Sequence, residues 1–347
     1  MVRVIGIDPG TKSFDFCGLD DEKIILDISI STKDINKEPE LVSNIIKETR
    51  ADLIVGPSGF GIPITDIKDI GERELFLMSL IKKDDRKSLL GLRTSIKRIQ
   101  HNKLPVFFIP GVIHLPTVPS YRKLNKIDMG TADKLCCAAL GIRDQALKYN
   151  IGYNETSFIL LEMGFGYTAA LAVDNGKIVD GIGGSTGSIG FLSLGGMDAE
   201  LAYLLGGFNK ELVFKGGVEK LTGTLEELMG NDDALNAYLE GAIKDVLQLT
   251  ASVDPREILV SGRISRVGGL FEELERRLDI APVRRIVGFG TKNVKEAAQG
   301  AAIIANGLAG GNYSKLIETL QIKEAKGTSL DHILLPEIEA LKNEYGI

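Results

Sequence analysis

Residues 4–26, VIGIDPGTKSFDFCGLDDEKIIL, align without a gap on residues 158–180, FILLEMGFGYTAALAVDNGKIVD, at a constant offset of 154. Asp8 falls on Glu162, Gly10 on Gly164, Asp20 on Asp174 and Lys23 on Lys177. Ile24 and Ile25 fall on Ile178 and Val179. A repeat so far apart requires one supersecondary unit to be built twice, which constrains the fold more than composition does. Both copies read as strand, acid, glycine-bearing turn, strand, polar turn and strand, so a β-meander is expected in each half.

The surroundings of the two copies also correspond. Each half ends in an Ala/Gly-rich helical stretch, MGTADKLCCAALGIRDQALKYN at 129–150 and NVKEAAQGAAIIANGLAGG at 293–311. Small residues on helices let backbones approach closely, as two helices crossing between domains require. A length of 347 residues is consistent with two domains, expected here at 1–150 and 151–347.

Both turns suit one chemical task. A carboxylate at a strand tip, beside N–H groups exposed by glycine, offers a ligand for a divalent ion and donors for phosphate oxygens. Two such tips facing each other could hold a nucleotide polyphosphate between them. The rival phosphate motifs, GxxxxGK-S/T and GxGxxG, do not occur in the chain.

Bulk properties narrow the partners. A net charge of −6 argues against nucleic acid. The basic stretch KKDDRKSLLGLRTSIKRIQHNK at 82–103 reads as a solvated helix face. Cys17, Cys136 and Cys137 have neither zinc nor disulfide spacing. They read as small buried residues in a reducing compartment. The first strand begins almost at Met1 and no apolar run approaches the length of a membrane span. The expectation is a cytoplasmic protein with no membrane partner.

At this point the pattern resembles the superfamily of acetate and sugar kinases, heat-shock chaperones and actin. VIGIDPGTKS is similar to its first phosphate motif, ILLEMGFGYTAAL to its second, and ILVSGRISRV at 258–267 to its adenosine motif. The two Ala/Gly-rich helices are similar to its connecting helices. Within the superfamily, VIHLPTVPSYRKLNKIDMGTADK at 112–134 resembles an archaeal family described as predicted butyrate kinases.

The resemblance implies an α/β fold of two ribonuclease-H-like (actin-like ATPase) domains, each a mixed five-stranded sheet flanked by helices, with a nucleotide cleft between them. It implies ATP and Mg²⁺ as cofactors and a small-molecule phosphoryl acceptor, a short-chain carboxylic acid first. The alternatives are a sugar or polyol kinase, and a nucleotide-dependent switch or sensor without an acceptor. Asp8 and Glu162 would hold the metal or its waters. Gly10, Thr11, Lys12, Ser13, Gly164 and Gly166 would grip the phosphates, and Ser261, Gly262 and Arg263 would seat the nucleotide. Three departures stand out. Glu162 replaces the usual Asp, Arg263 replaces the usual second Gly, and the arginine and histidine signatures of acetate kinases are not visible.

Other candidates have structural readings beside the functional ones. Pro105, Pro110, Pro116 and Pro119 stiffen a segment that could wall a cleft. His114 within it is a substrate contact or a packed core histidine. Arg122 is an anchor for a substrate carboxylate or a surface arginine. Asp128 and Asp133 bracket the start of the first connecting helix, as caps or as substrate-facing acids, with Asp133 the first choice of base for an alcohol acceptor. Ser185 and Thr186 in the Gly-rich run 180–196 contact substrate or shape a turn. A final amphipathic helix is expected in the tail, packed on its own chain or on a second copy in a homodimer.

Overall fold

The computed structural model describes residues 2–10, 12–38, 40–56, 59–83, 85, 96–97 and 99–347. Thr11 and residues 84, 86–95 and 98 of the basic stretch lie outside the described residues.

The apolar, β-branched runs of the first copy form an antiparallel meander of β1 (Arg3–Pro9), β2 (Ser13–Asp20) and β3 (Lys23–Ser31). Beyond β1 the sheet continues with β4 (Leu53–Val55) and β6 (Val106–Phe108), both parallel, and ends at the antiparallel β5 (Thr65–Asp66). The second copy forms β7 (Phe158–Met163), β8 (Thr168–Asp174) and β9 (Lys177–Ile182). Beyond β7 lie the parallel strands β10 (Glu257–Ser261) and β11 (Val283–Arg285). The strand orders are β3-β2-β1-β4-β6-β5 and β11-β10-β7-β8-β9. The second sheet has the expected five strands; the first gains a sixth, the two-residue β5.

The correspondence of the copies extends to their irregularities. The register slips between Gly18 and Leu19 in the first meander and between Ala172 and Val173 in the second, again 154 positions apart. The β2–β3 turn places Asp21 at φ 52° and the β8–β9 turn places Asn175 at φ 50°, at the same offset. Asp and Asn tolerate this left-handed conformation better than most side chains do.

Helices fill the layers. α1 (Thr32–Lys37), α2 (Glu40–Thr49) and α3 (Glu72–Ser79) lie on one side of the first sheet. α4 (Ala132–Tyr149) ends at Asn150, φ 51°, and α5 (Ala199–Leu205) follows the second meander. α6 (Asp232–Leu249), capped by the Asn231 side chain on Ala234 N–H, covers the far face of the second sheet. α7 (Glu296–Leu308) is the second Ala/Gly-rich helix. The tail helix, α8 (Ile338–Tyr345), packs on α3 of its own chain, with Tyr345 stacked on Phe76 at 3.6 Å.

Alternation along the strands sorts side chains into three cores. In β7, Phe158 and Leu160 enter a core shared with α4, α7 and the first sheet, while Ile159 and Leu161 face α6. In β1, Val4 joins the shared core and Ile5 the core of α2 and α3. α7 is therefore clamped between β1 and α4. Two glycines make this possible. A Cβ on Gly300 would lie 1.8 Å from the Cys136 carbonyl oxygen of α4, and one on Gly6 would lie 2.1 Å from the Ala302 nitrogen of α7. Cys17, Cys136 and Cys137 are buried free thiols of the shared core. Among the described residues no helix is long and apolar enough to cross a membrane.

Candidate functional site

The two strand-tip turns face one cavity of about 660 Å³. The β1–β2 turn contributes Asp8, Gly10 and Lys12, and the β7–β8 turn contributes Glu162, Gly164, Phe165 and Gly166. Gly262 and Arg263 enter from the end of β10. The first residues of α4 and α7 also reach the wall, with Asp133 and Lys134 on one and Lys295 and Glu296 on the other. Neither Thr131 nor Lys295, the residues preceding these helices, supplies a side-chain cap. Two helix N-termini of 18 and 13 residues thus add positive partial charge at the cavity, which favours an anion.

Two partly buried lysines organise the acids. Lys295 Nζ stands 2.8 Å from Asp8 Oδ2 and 3.3 Å from Asp15 Oδ2, and its backbone N–H donates to Asp15 Oδ2 at 3.0 Å. Ser29 Oγ donates to the other Asp15 oxygen at 2.6 Å. The Asp27 carboxylate accepts N–H bonds from Lys292, Asn293 and Val294, so the entry to α7 is stitched to the first meander. Lys134 pairs with Asp133 and stands 2.7 Å from Glu162 Oε2. That second contact is an ion pair without hydrogen-bond geometry, which leaves Glu162 Oε2 buried and without a hydrogen bond. Thr131 Oγ1 donates to Asp133.

Burial and neighbouring charge set the proton affinities. Burial pushes the Asp8 carboxyl up, Lys295 pulls it back in part, and the nearby Asp133 adds to the rise. Glu162 is raised in the same way, by burial against the pull of Lys134. Burial also works on Asp133, but Lys134 and Thr131 outweigh it and hold this acid below the usual carboxylate range. Burial opposes the charge on Lys134 and Lys295, yet their carboxylate partners win and both are raised.

Other cations face the cavity without a carboxylate partner. Lys12 Nζ lies 3.6 Å from the centre of the Phe165 ring, a cation–π contact joining the two turns. Arg263 Nη2 reaches Ser13 Oγ at 3.5 Å. Among the described residues neither makes an ion pair with an acid.

A magnesium ion at a phosphoryl-transfer site is usually held by one or two carboxylates together with the phosphates and waters. Asp8 and Glu162, expected as metal ligands, each carry a lysine ammonium. Among the described residues no three His, Cys, Asp or Glu side chains are arranged to hold a metal. In the fold both acids form ion pairs, because both connecting helices begin with a lysine directed at a strand tip.

The remaining candidates divide. Asp128 and Ser185 line the cavity, Asp128 accepting N–H bonds from Gly130 and Ser185 and a hydroxyl bond from Ser185. Thr186 stays behind that loop, donating to the Asp128 and Gly183 carbonyls. Ser261 is buried beside Glu162 in the β7–β10 pairing, its hydroxyl without a partner. His114 and Arg122 do not line the cavity. His114 is 3% exposed with Nδ1 3.2 Å from the Gly111 carbonyl, and burial lowers its pKa to about 4. Arg122 donates to the Val179 carbonyl at 2.8 Å and stands 3.5 Å from Asp180, both on β9. The Pro-rich segment does both: Val106, Phe108 and Ile109 at its start line the cavity, while Val112, Leu115 and Val118 are buried in the shared core.

Sequence reasoning missed Lys295, Lys134 and Asp15. A signal existed. A lysine beside an acid opens each Ala/Gly-rich helix, Asp133-Lys134 and Lys295-Glu296, where a positive charge opposes the helix dipole. An unfavourable charge repeated at equivalent places points to a partner elsewhere.

A family model spanning residues 6–335 matches this chain, described as protein of unknown function (DUF1464). The chain belongs to the DUF1464 family. No protein with a curated description matches it in sequence. Solved structures do share its fold. The acetate kinase from Porphyromonas gingivalis aligns with a TM-score of 0.56 at 11% identity, over 88% of this chain and 99% of that one. A propionate kinase from Francisella tularensis aligns with a TM-score of 0.58 at 13% identity, over 86% and 99%. The acetate kinase from Entamoeba histolytica gives 0.53 at 14%, over 80% and 86%. Identities this low show the two-domain fold alone. The DUF1464 chain therefore has the α/β architecture of two helix-flanked mixed sheets found in these kinases.

Proposed function

We propose that this DUF1464 protein transfers the γ-phosphoryl group of ATP to a small carboxylic acid, a reaction of the butyrate-kinase type. The observation that carries the reading is the pair of glycine-bearing turns, one from each sheet, facing a single cavity with two helix N-termini and with Lys12 and Arg263, which make no ion pair among the described residues. Such a constellation suits a polyphosphate. The folds it resembles are those of proteins named acetate and propionate kinases.

Phosphoryl transfer depends mainly on positioning and electrostatics. The turn N–H groups of Gly10, Gly164 and Gly166 would hold phosphate oxygens, with Lys12 and Arg263 balancing their charge. Lys295 and Lys134 keep Asp8 and Glu162 from repelling the nucleotide. An oxygen of the acceptor carboxylate attacks the γ-phosphorus. The new bond is acyl-oxygen to phosphorus; the bond broken joins that phosphorus to the β,γ-bridging oxygen, which leaves with its electron pair on ADP. A carboxylate is already a nucleophile and needs no base. An alcohol would need one, and Asp133, held below the usual range between Lys134 and Thr131, is a weak one. This favours an acid over a sugar or polyol. No step is routed through a metal.

The test is ADP release measured with ATP and Mg²⁺ in the buffer, screened over carboxylic acids, polyols and sugars with a no-acceptor control. Acid-dependent ADP release is expected. One observation favours a second reading, a nucleotide-dependent switch: both tip acids are neutralised within the fold. ATP binding that no acceptor converts to ADP release would select the switch and overturn the kinase.

A further inference from the structure

The cavity does not end at the phosphate-facing turns. Past Asp8 and Asp128 it continues beside the first sheet into an apolar pouch walled by Ile35 of α1, Val42 of α2, Met78 of α3 and Phe108 of β6. These residues belong to the core of that sheet, and each is at most 5% exposed. An apolar lining that continues from a polar site suits a ligand with both a charged group and an apolar body.

Lys210 stands at the junction. Its Nζ lies 4.8 Å from the centre of the Phe60 ring, and its backbone N–H donates to Asp85 at 2.9 Å. Phe60 in turn bonds through its N–H to the Met78 carbonyl, on the pouch wall. Lys134 and Lys295 each have two carboxylates within ion-pair distance; among the described residues Lys210 has none. Burial lowers its pKa, although the Asp128 carboxylate pulls it back in part without reaching ion-pair distance. A desolvated cation beside an apolar pouch is matched by an anion that carries an apolar body. The phosphates have other cations, Lys12 and Arg263, at the far turns.

We propose that the pouch takes the hydrocarbon body of a carboxylic acid longer than butyrate, with Lys210 pairing with the acid's carboxylate at the mouth. The inference rests on the kinase reading only for the reaction that follows; binding itself does not require it. An unbranched alcohol of equal length would fill the pouch but leave Lys210 unpaired.

The test is calorimetric titration of the full chain with butyrate, hexanoate and octanoate, and with the corresponding 1-alkanols. The expected result is a gain of about fourfold in affinity per added methylene, with each acid binding more tightly than its alcohol. Affinity flat beyond butyrate overturns the pouch. Lys210→Met should abolish the preference for acid over alcohol while keeping the dependence on length, and Lys210→Arg should restore it. A preference unchanged in Lys210→Met overturns the role of Lys210. Met78→Trp should shorten the longest acid bound. The chain contains no other tryptophan, so its fluorescence reports occupancy directly. Long acids that bind with this slope but are never phosphorylated would defeat the kinase reading and leave the pouch standing. Phosphorylation of butyrate with no length dependence of binding would do the reverse.

Discussion

Replacing Lys295 with methionine deletes the ammonium 2.8 Å from Asp8 and 3.3 Å from Asp15 while keeping most of the side-chain volume. The side chains of Asp8 and Asp15 are 9% and 0% exposed, so water cannot take over the role of the lysine. Breaking a buried pair by removing one partner costs about 3–5 kcal/mol. Asp15 keeps its bonds from Ser29 and the backbone N–H of residue 295, which places the expected loss near the lower end, about 3 kcal/mol. In urea this corresponds to a fall in midpoint of roughly 1 M or less, since m grows with chain length. The loss should also depend on pH. The Asp8 carboxyl already sits above its ordinary value, and without Lys295 it rises further. A carboxyl whose folded pKa exceeds its unfolded one adds stability at low pH and loses it as pH climbs through the folded value. The gap between variant and wild type should therefore narrow as pH falls from 8 towards 5. Asp15→Asn added to the variant should recover part of the loss. A loss below about 1 kcal/mol that is the same at both pH values would refute the argument that this triad ties α7 to the first meander.

Other consequences can be checked in the same way. A mid-helix Gly→Ala change normally gains about 1 kcal/mol, yet Gly300→Ala should lose about 1–3 kcal/mol, because the new methyl meets the Cys136 carbonyl, a backbone atom; a rise in thermal midpoint would show that α4 and α7 are not in that contact. His114, neutral in the fold with a pKa of about 4, contributes stability above its unfolded pKa and loses it as pH falls from about 6.5 to about 4. Up to about 3 kcal/mol should go over that window, and His114→Gln should flatten this limb of the acid denaturation curve. Lys12→Met should weaken ATP binding about tenfold with little change in urea midpoint, since Lys12 meets the Phe165 ring and no acid; unaltered affinity for ATP would remove Lys12 from the phosphate site.

Much of the architecture was legible before any coordinates. A constant offset of 154 placed both meanders, both turns and the acids at their tips, and the sheets reproduce even the register slip and the left-handed turn residue at that offset. Repeats survive in sequence because local hydrogen bonding and alternation restrict each position of a strand pair. The Ala/Gly-rich composition likewise announced two closely packed helices, and Gly300 against Cys136 is the contact it implied.

What lay outside the sequence's reach was which distant side chains meet. Lys295 is separated from Asp8 by 287 positions and Arg122 is next to a plausible motif, yet the lysine reaches the strand tip and the arginine binds the carbonyl of Val179 on β9. No local rule predicts either, because the direction of a side chain depends on how α7 docks against β1 and how the Pro-rich segment folds into the shared core. The same docking decides that Asp8 and Glu162 each stand against a lysine ammonium. It also brings Lys210 and apolar residues of the first sheet's core to the wall of the same cavity. The sequence by itself determined the two meanders and the turns that face each other; tertiary packing alone decided their charge partners, since a buried charge takes whichever counter-ion the fold brings within a few ångströms.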